Sequence, residues 1–260
     1  MPDSVTFLGT SDGLPSPDRR HASLLVKFAT RTILLDCGEP CGHTLKQMGE
    51  NFDAIDTIFI SHTHSDHVGG FPMLLQSMWL ERRRRPLTVW MPGHAIRLLC
   101  AWLDACYLFE RVLGFPVKWV AIDKQPALRC GPVQLRVFRT THLGAVRKQF
   151  GVSHPAIKFG AFSLLATGAG KRLAYSADMG APQDLQTLCA KPLDLLVVEL
   201  AHLQPRALFE FLQSKDVRRV AVTHMGRAAR ARLAEVRGLA RKELGPRKTH
   251  FVTDGDVVQF

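Results

Sequence analysis

Residues 60–70 read ISHTHSDHVGG and place three histidines and one aspartate within six consecutive positions. A compact loop can point alternate side chains in the same direction, so His62 and His64 can share one metal ion. Asp66 and His67 are displaced along the loop and can serve a second ion. Imidazole suits zinc, iron and manganese, and carboxylate adds hard oxygen ligands. The spacing H-x-H-x-D-H therefore predicts part of a metal site.

The other candidate ligands each follow a separate apolar run by one to three residues, and they are His142, Asp178, His202 and His224. If the ends of the predicted strands converge on one edge, these residues meet in space, because sites are commonly built on loops of a rigid scaffold. Asp178 could then bridge two ions, and ions about 3.5–4 Å apart can clamp the attacking and leaving oxygens of a phosphoryl displacement. The remaining histidines are interpreted as structural: His21, His43, His94, His154 and His250.

The composition is that of a folded chain. Its 260 residues are 46% hydrophobic, which is enough for a large core in one compact domain or in two. No apolar run reaches the length needed to cross a bilayer, and the N-terminus lacks the pattern of a secretory signal. Six scattered cysteines, including the close pair Cys37 and Cys41, fit neither a disulfide framework nor a paired zinc motif. Reduced thiols in the cytoplasm are the expectation.

The charge balance indicates the kind of partner. A formal net charge of +11 and a pI of about 9.8 favour anionic partners, above all nucleic acid or a phosphate-bearing small molecule. Basic residues concentrate at positions 82–85, all arginine, and between Arg227 and Lys248. Solvated surface is the interpretation for most of them. Charge alone predicts a preference for anions and no reaction.

Apolar runs and proline positions predict strands and helices that alternate along the chain. The predicted strands are residues 5–8, 32–35, 57–60, 134–138, 162–166, 172–175, 194–198 and 219–222. The predicted helices are residues 43–48, 72–80, 94–113, 182–190, 205–213 and 228–244, the last followed by the stop signal Gly245-Pro246. A turn signal at 167–170 predicts a hairpin over 160–176. This order predicts an α/β fold, a four-layer αββα sandwich in a single domain over 1–260, with halves of about 1–125 and 126–260.

The motif from His62 to His67 resembles the signature of the metallo-β-lactamase fold superfamily. The segments FLGTSDGLPSPDRRHASLLV, ILLDCGEPCGHTLKQMG, IFISHTHSDHVGGFPMLL, YSADMG and VTHMGR resemble the ribonuclease Z branch. The resemblance spans nearly the whole chain and implies a dinuclear site, with zinc or manganese, at one edge of the sandwich. Carried over by position, it implies that one ion is bound by His62, His64, His142 and bridging Asp178. The other ion is bound by Asp66, His67, His224 and the same Asp178.

Two kinds of enzyme within this branch imply different substrates for this chain. Ribonuclease Z trims the 3′ trailer of precursor tRNA and usually carries a long arm between its histidine and its bridging aspartate. Only 35 residues separate His142 from Asp178, which leaves little room for an arm. His202 looks like the additional active-site histidine of the cyclic phosphodiesterase of phosphonate degradation. The sequence therefore favours a small-substrate phosphodiesterase, with homodimers common among relatives.

The chemistry expected from this resemblance is hydrolysis of a phosphodiester or cyclic phosphate by a hydroxide that bridges two metal ions. Asp66 is expected to orient the hydroxide as well as bind metal, and His202 to protonate the leaving alkoxide or bind the phosphate. Asp36 and Glu199 either steer the ligand imidazoles or are structural. Alternatives are tRNA 3′ processing, thioester or lactone hydrolysis on the same fold, and a nucleic-acid-binding module with structural metals.

Overall fold

Two β-sheets of seven strands each pack face to face, with helices on both outer surfaces, in the computed structural model, which describes residues 2–245 and 248–260. One sheet has the strand order β14-β1-β2-β3-β4-β5-β6, and the other has the order β13-β12-β11-β10-β9-β8-β7. The αββα sandwich predicted from the sequence is therefore confirmed.

The strands of the first sheet are β1 (Ser4–Gly9), β2 (Ser23–Phe28), β3 (Arg31–Leu35), β4 (Ile55–Phe59), β5 (Leu87–Met91), β6 (Val117–Ala121) and β14 (Val257–Gln259). The strands of the second sheet are β7 (Ala127–Cys130), β8 (Val133–Arg139), β9 (Phe162–Gly168), β10 (Lys171–Tyr175), β11 (Leu195–Leu200), β12 (Arg219–Met225) and β13 (Lys248–Phe251). The helices are α1 (Cys41–Gln47), α2 (Ser65–Val68), α3 (Phe71–Leu80), α4 (Gly93–Ala105), α5 (Glu110–Leu113), α6 (Gly144–Phe150), α7 (Pro205–Gln213), α8 (Arg227–Ala231) and α9 (Leu233–Leu244).

The core has three apolar layers, because successive side chains of a strand point to opposite faces of its sheet. In β2, Leu24 and Val26 belong to the cluster between the two sheets, whereas Leu25 belongs to the cluster beneath α1, α3 and α4. A third cluster lies between the second sheet and α7 to α9 and includes Leu208 and Val236. Both faces of each sheet are thus buried.

Each sheet is antiparallel on one side and parallel on the other. Strands β3 to β6 run parallel in the first sheet, and β10 to β13 run parallel in the second. The carboxyl ends of parallel strands meet at one edge of a sheet, which is where α/β proteins place their ligands. At this edge the N–H of Phe162 in β9 donates to the carbonyl of Ser61 at 3.1 Å, so the two sheets are joined there.

Several element predictions need correction. The helix predicted over 94–113 is broken into α4 and α5, because Tyr107 adopts a positive φ of 60° that a continuous helix excludes. The helix predicted over 182–190 consists of two 3₁₀ turns, and the one predicted over 228–244 is interrupted at Arg232. Pro246 of the predicted stop signal, and Arg247, lie outside the described residues. The sequence prediction missed α2, α6, β2, β5, β6, β7, β13 and β14.

Two of the four arginines at 82–85 make structural contacts with their side chains. Arg83 is 2% exposed, and its guanidinium donates to the carbonyls of Phe52, Ile55, Arg85 and Pro86 at 2.6–2.9 Å. Arg85 pairs with Asp56 at 2.6 Å. These partners lie just before or at the start of β4 and just before β5, at the end of the sheet opposite the candidate ligands. The solvated-surface interpretation is therefore wrong for Arg83, and this cluster cannot reach a substrate at the site.

Two further findings bear on the expectations from composition. Among the described helices, none combines the length and apolarity that a bilayer crossing requires. All six cysteines are free thiols, and Cys37 and Cys41 are both buried.

Candidate metal centre

The loops that follow β4, β8, β10 and β11, together with the last residues of β12, bring the candidate ligands together at one edge of the sandwich. Three overlapping groups have ligand atoms within 4.8 Å of one another. The groups are His62, His64, His142 and Asp178; Asp66, His67 and His224; and Asp178, His202 and His224. The eight residues singled out in the sequence therefore form one cluster.

Asp178 lies at the centre of this cluster, and its two carboxylate oxygens face different histidines. Oδ2 lies 3.7 Å from Nε2 of His62 and 3.5 Å from Nε2 of His142. Oδ1 lies 3.3 Å from Nε2 of His67 and 3.4 Å from Nε2 of His224. Nδ1 of His64 lies 3.3 Å from Nε2 of His142, so His64 belongs to the Oδ2 side. The two oxygens of this carboxylate thus face two different sets of side chains.

Asp66 completes the Oδ1 side of the cluster. Its Oδ2 lies 3.3 Å from Nε2 of His67 and 3.8 Å from Nε2 of His224. Asp66 occupies the first turn of α2, where a carboxylate is favoured by the helix dipole. The short helix follows directly on His64, so His62 and His64 are presented from an extended segment and Asp66 and His67 from a helical turn.

Asp36 supports the segment that follows β4, on the side away from the centre of the cluster. It is fully buried and accepts hydrogen bonds from the Ser61 N–H at 2.7 Å and the Ser61 hydroxyl at 2.9 Å. Nδ1 of His67 lies 2.7 Å from Oδ2 of Asp36, so Nδ1 donates to this carboxylate and Nε2 is the nitrogen that faces the cluster. The Ser61 hydroxyl is also 3.0 Å from Nδ1 of His62. Since that hydroxyl donates to Asp36, it accepts from His62, which likewise leaves Nε2 free.

The residues present fit a metal ion. Buried polar atoms normally have hydrogen-bond partners, and an unpaired one costs about 1–3 kcal/mol. In the described part of the chain all but one of the buried side-chain atoms without a partner belong to this cluster: Nε2 of His62, Nε2 of His67, Oδ1 of Asp178, and Nδ1 and Nε2 of His224. Four of these five atoms point toward the centre of the cluster, which is the arrangement that a cation would satisfy.

The electrostatics favour a cation at the same place. Burial lowers the pKa of His62 well below its usual value, and burial lowers that of His142 to about 4, so both rings are neutral near pH 7. Burial opposes ionisation of Asp178, but His224 and His67 hold its pKa well below the usual range. Burial also opposes the charged form of His67, yet Asp178 and Asp36 raise its pKa well above the ordinary value. A proton on His67 thus competes with a cation.

The backbone is strained where the cluster is anchored. Asp36, Ala177 and His224 adopt positive φ angles of 57°, 48° and 46°. Non-glycine residues rarely occupy this region, and such strain persists only where surrounding contacts enforce it. Each of these three residues either contacts the cluster or directly precedes Asp178, so part of the backbone strain of the protein lies where the candidate ligands are oriented.

His202 sits at the rim of the cluster and is held by a buried carboxylate. Its side chain is 37% exposed, and its Nδ1 lies 3.3 Å from Oε1 of Glu199 and 3.7 Å from Oδ2 of Asp178. Oε2 of Glu199 accepts the N–H groups of Ala201 and His202 at 2.6 and 3.0 Å. Burial works against the charged imidazole, but the hydrogen bond to Glu199 raises the pKa of His202 above its usual value.

Sequence reasoning missed three polar side chains that support the site. Ser61 links Asp36 to His62, and the hydroxyl of Tyr175 donates to Oδ2 of Asp36 at 2.7 Å. The hydroxyl of Thr140 donates to the carbonyl of Asp178 at 2.8 Å. Tyr175 ends a predicted strand and Thr140 follows another by two residues, both close to candidate ligands in the chain, and this position was the signal that could have found them. Of the histidines interpreted as structural, His21 has its Nδ1 3.1 Å from the carbonyl of Asp12 and stays outside the metal-ligand groups.

The fold and the ligand cluster together define a metallo-β-lactamase fold protein, as solved structures of low sequence identity show. The metallo-β-lactamase fold protein YhfI from Bacillus subtilis superposes with a TM-score of 0.78 at 17% identity, over 100% of both chains. The short form of human tRNase Z superposes with a TM-score of 0.72 at 18% identity, over 98% of both chains. A diphosphatase of the PhnP family gives a TM-score of 0.68 at 13% identity, over 100% of this chain and 98% of that chain.

The family is narrower than the fold. The profile of the family described as Anti-Pycsar protein Apyc1 matches residues 4–200, and the chain belongs to this family. Among curated proteins, the chain is 31% identical over 139 residues to ribonuclease Z of Bradyrhizobium diazoefficiens, covering 54% of this chain and 46% of that protein. It is 35% identical over 128 residues to ribonuclease Z of Aeropyrum pernix, covering 49% and 40%. The matched part therefore spans less than half the length of these relatives.

Proposed function

We propose that this protein is a metal-dependent hydrolase that cleaves a phosphodiester or cyclic phosphate with two divalent ions, zinc or manganese. The observation that carries the proposal is the division of the Asp178 carboxylate between two sets of ligand atoms. The first set is His62, His64 and His142, and the second is Asp66, His67 and His224. Ribonuclease Z relatives at 31–35% identity support a phosphodiester as the bond that is cleaved.

The chemistry that two such ions supply is Lewis acidity toward a phosphoryl oxygen and a lowered pKa of water. The residues of this chain fix the geometry of that chemistry. Asp36 and Ser61 set the tautomers of His67 and His62, and their hydrogen bonds hold both rings in a fixed orientation. The Asp66 carboxylate, at the Oδ1 side, is positioned to accept a hydrogen bond from the attacking water.

His202 is the proposed general acid. Its Nδ1–H is held by Glu199, so Nε2 is the nitrogen left to carry the transferable proton. When the bond between phosphorus and the leaving oxygen breaks, this proton moves from Nε2 to that oxygen, and an alcohol leaves. Positioned proton transfer of this kind contributes about 10²–10⁴-fold to a rate. The need for it is greatest when the leaving alcohol is a weak acid.

Precursor tRNA processing is the second candidate, because the curated relatives are ribonucleases Z. Ribonuclease Z usually carries its long arm between the positions that match His142 and Asp178. Here the connection between β8 and β9 contains one helix, the seven-residue α6, and no residue of this helix is buried. A short solvent-exposed helix offers much less surface to a folded RNA than a long arm. The small-substrate activity is therefore preferred over tRNA processing.

We also infer a homodimer in the cytoplasm. Exposed apolar side chains gather on α3, α4 and the loop after α4, at Trp79, Leu80, Leu98, Trp102, Tyr107 and Phe109. A second copy of the chain would cover this face, since apolar patches of this kind mark protein contacts. Analytical ultracentrifugation of the purified chain tests the dimer. The cytoplasmic location expected from the thiols stays a prediction.

A substrate panel tests the proposed function. The protein is loaded with zinc or manganese and assayed on bis-aryl phosphate, 2′,3′-cyclic nucleotides, a ribose cyclic phosphate, a thioester, a lactone and a tRNA precursor. Turnover of phosphodiesters that is lost in Asp178→Ala and kept in the exposed control Asp216→Ala supports the proposal. Turnover confined to the thioester or the lactone contradicts it, and turnover confined to the tRNA precursor favours the second candidate.

A further inference from the structure

A second polar cleft opens at the same edge of the sandwich as the metal-ligand cluster. It has a volume of about 530 Å³, and its lining includes Arg139, Arg147, Lys158 and Asp123. Arg139 is the last residue of β8, Arg147 lies on α6, and Lys158 lies in the segment that leads from α6 to β9. The cleft thus lies beneath the same connection that carries His142.

The positive charges of this cleft are not neutralised by neighbours. Within the described residues, Arg139, Arg147 and Lys158 have no carboxylate within 4.0 Å, whereas Arg85 and Arg31 at the other end of the sheet share Asp56. Asp123 is the one carboxylate on the described lining, and its Oδ1 accepts the N–H of Gly93 at 2.7 Å. Three cations thus face one carboxylate that already has a partner.

One of these cations is held in a fixed position. Nη2 of Arg139 donates to the carbonyls of Lys158 and Phe159 at 3.0 and 2.8 Å. These two bonds tie the end of β8 to the segment that returns to β9, so the guanidinium is ordered before any ligand arrives. An ordered guanidinium loses little entropy when it binds a phosphate, and its planar fork suits phosphate oxygens.

The distance from the cleft to the cluster suits a single substrate. Strands β4, β5 and β6 are consecutive neighbours, His62 follows β4, and Asp123 follows β6. Neighbouring strands are about 4.8 Å apart, which places the cleft on the order of 10 Å from the ligand cluster. One nucleotide unit can bridge such a gap.

We propose that this cleft is a subsite for a second phosphate group of the substrate, about one nucleotide away from the phosphodiester that is cleaved. The proposal rests on the proposed function and names its preferred substrate class, a phosphodiester that carries a further terminal phosphate. The basic run at 82–85 cannot serve this role, because Arg83 and Arg85 are bound to the protein at the opposite end of the sheet.

Paired substrates test the subsite. The dinucleotide ApA is compared with the same dinucleotide bearing a 5′-phosphate or a 3′-phosphate, with metal-loaded wild-type protein. We expect kcat/KM to be about tenfold higher for one phosphorylated form than for ApA, and the ratio to approach one in Arg147→Ala/Lys158→Ala. The control Arg82→Ala/Arg84→Ala removes the same charge from the opposite end and should keep the wild-type ratio. Equal kcat/KM for all three dinucleotides in the wild type, or an unchanged ratio in the double variant, overturns the subsite.

A binding measurement separates failure of the subsite from failure of the proposed function. Titration calorimetry with the same dinucleotides is carried out on Asp178→Ala, with and without the Arg147→Ala/Lys158→Ala changes, after circular dichroism has shown that each is folded. If neither the dinucleotides nor the phosphodiesters and cyclic phosphates of the substrate panel are cleaved, but the phosphorylated form still binds about tenfold more tightly, the subsite stands and the hydrolase proposal fails. If cleavage occurs and binding shows no preference for the phosphorylated forms, the subsite fails and the hydrolase proposal stands.

Discussion

Oδ2 of Asp36 lies 2.7 Å from Nδ1 of His67, and this contact fixes which nitrogen of the ring faces the ligand cluster. Asn tolerates the positive φ of 57° at this position, so Asp36→Asn changes the charge with little change in the backbone. We expect metal affinity to fall by about 10–100-fold, because carboxylates behind ligand histidines orient them and raise their basicity. Competition with a chromophoric chelator measures the affinity. The exposed Asp216→Asn serves as control. Unchanged metal affinity in Asp36→Asn would contradict a role for Asp36 in orienting the candidate ligands.

Removal of the Tyr175 hydroxyl tests the hydrogen bonds to Asp36 by a smaller change. Tyr175→Phe removes one of the hydrogen bonds to Asp36 and leaves no cavity, so we expect a loss of about 1 kcal/mol in the free energy of unfolding. Ser61 and His67 still donate to Asp36, so metal affinity should fall less than in Asp36→Asn. Urea denaturation and the chelator competition check the two expectations. If Tyr175→Phe lowers metal affinity more than Asp36→Asn does, the carboxylate of Asp36 is not the main support of His67, which contradicts the expectation.

Glu199 is expected to act through His202. Glu199→Gln replaces one carboxylate oxygen by an NH₂ group, which cannot accept a hydrogen bond. Either the backbone N–H groups of Ala201 and His202 or Nδ1–H of His202 then lose their acceptor, so His202 loses its fixed orientation. We expect kcat for alkyl-leaving-group phosphodiesters to fall by about 10–100-fold and kcat for bis-aryl phosphate to fall much less. His202→Ala should show the same contrast. Equal losses on both substrate types would exclude proton donation, and the exposed Glu210→Gln serves as control.

Arg83 is expected to stabilise the fold without any role at the site. Arg83→Met leaves the carbonyls of Phe52, Ile55 and Pro86 without their donor in a buried position. We expect the free energy of unfolding to fall by about 2–4 kcal/mol. Guanidinium denaturation measures the loss, and the exposed neighbour change Arg84→Met should be nearly neutral. A loss below about 0.5 kcal/mol in Arg83→Met would show that water or a rearranged chain replaces these bonds.

The sequence predicted which side chains form the cluster better than it predicted what supports them. His62, His64, Asp66 and His67 are close in the chain, and the other candidate ligands follow apolar runs, so local patterns were enough to predict the cluster. The partners of Asp36 lie 25, 31 and 139 residues away in the chain, and only the folded sandwich brings them together. No local pattern encodes such contacts.

The misjudged elements have a similar cause. Arg83 lies in a run of four arginines, which is typical of a surface, yet the carbonyls of Phe52 and Ile55 give it a buried position. Strand β6 was missed because it is an edge strand with only one buried residue, so its apolar pattern is weak. The helix predicted over 94–113 has apolar residues on either side of its break, and periodicity does not detect the positive φ of Tyr107.

We propose that Asp178 is shared between two ions, and metal stoichiometry tests this sharing. Purified protein is loaded with zinc or manganese, freed of excess ion, and analysed by inductively coupled plasma and native mass spectrometry, beside Asp178→Ala and the control Asp216→Ala. We expect about two ions per chain in the wild type and the control. We expect one or none in Asp178→Ala. A single ion in the wild type, or two ions that remain in Asp178→Ala, would contradict the sharing of Asp178.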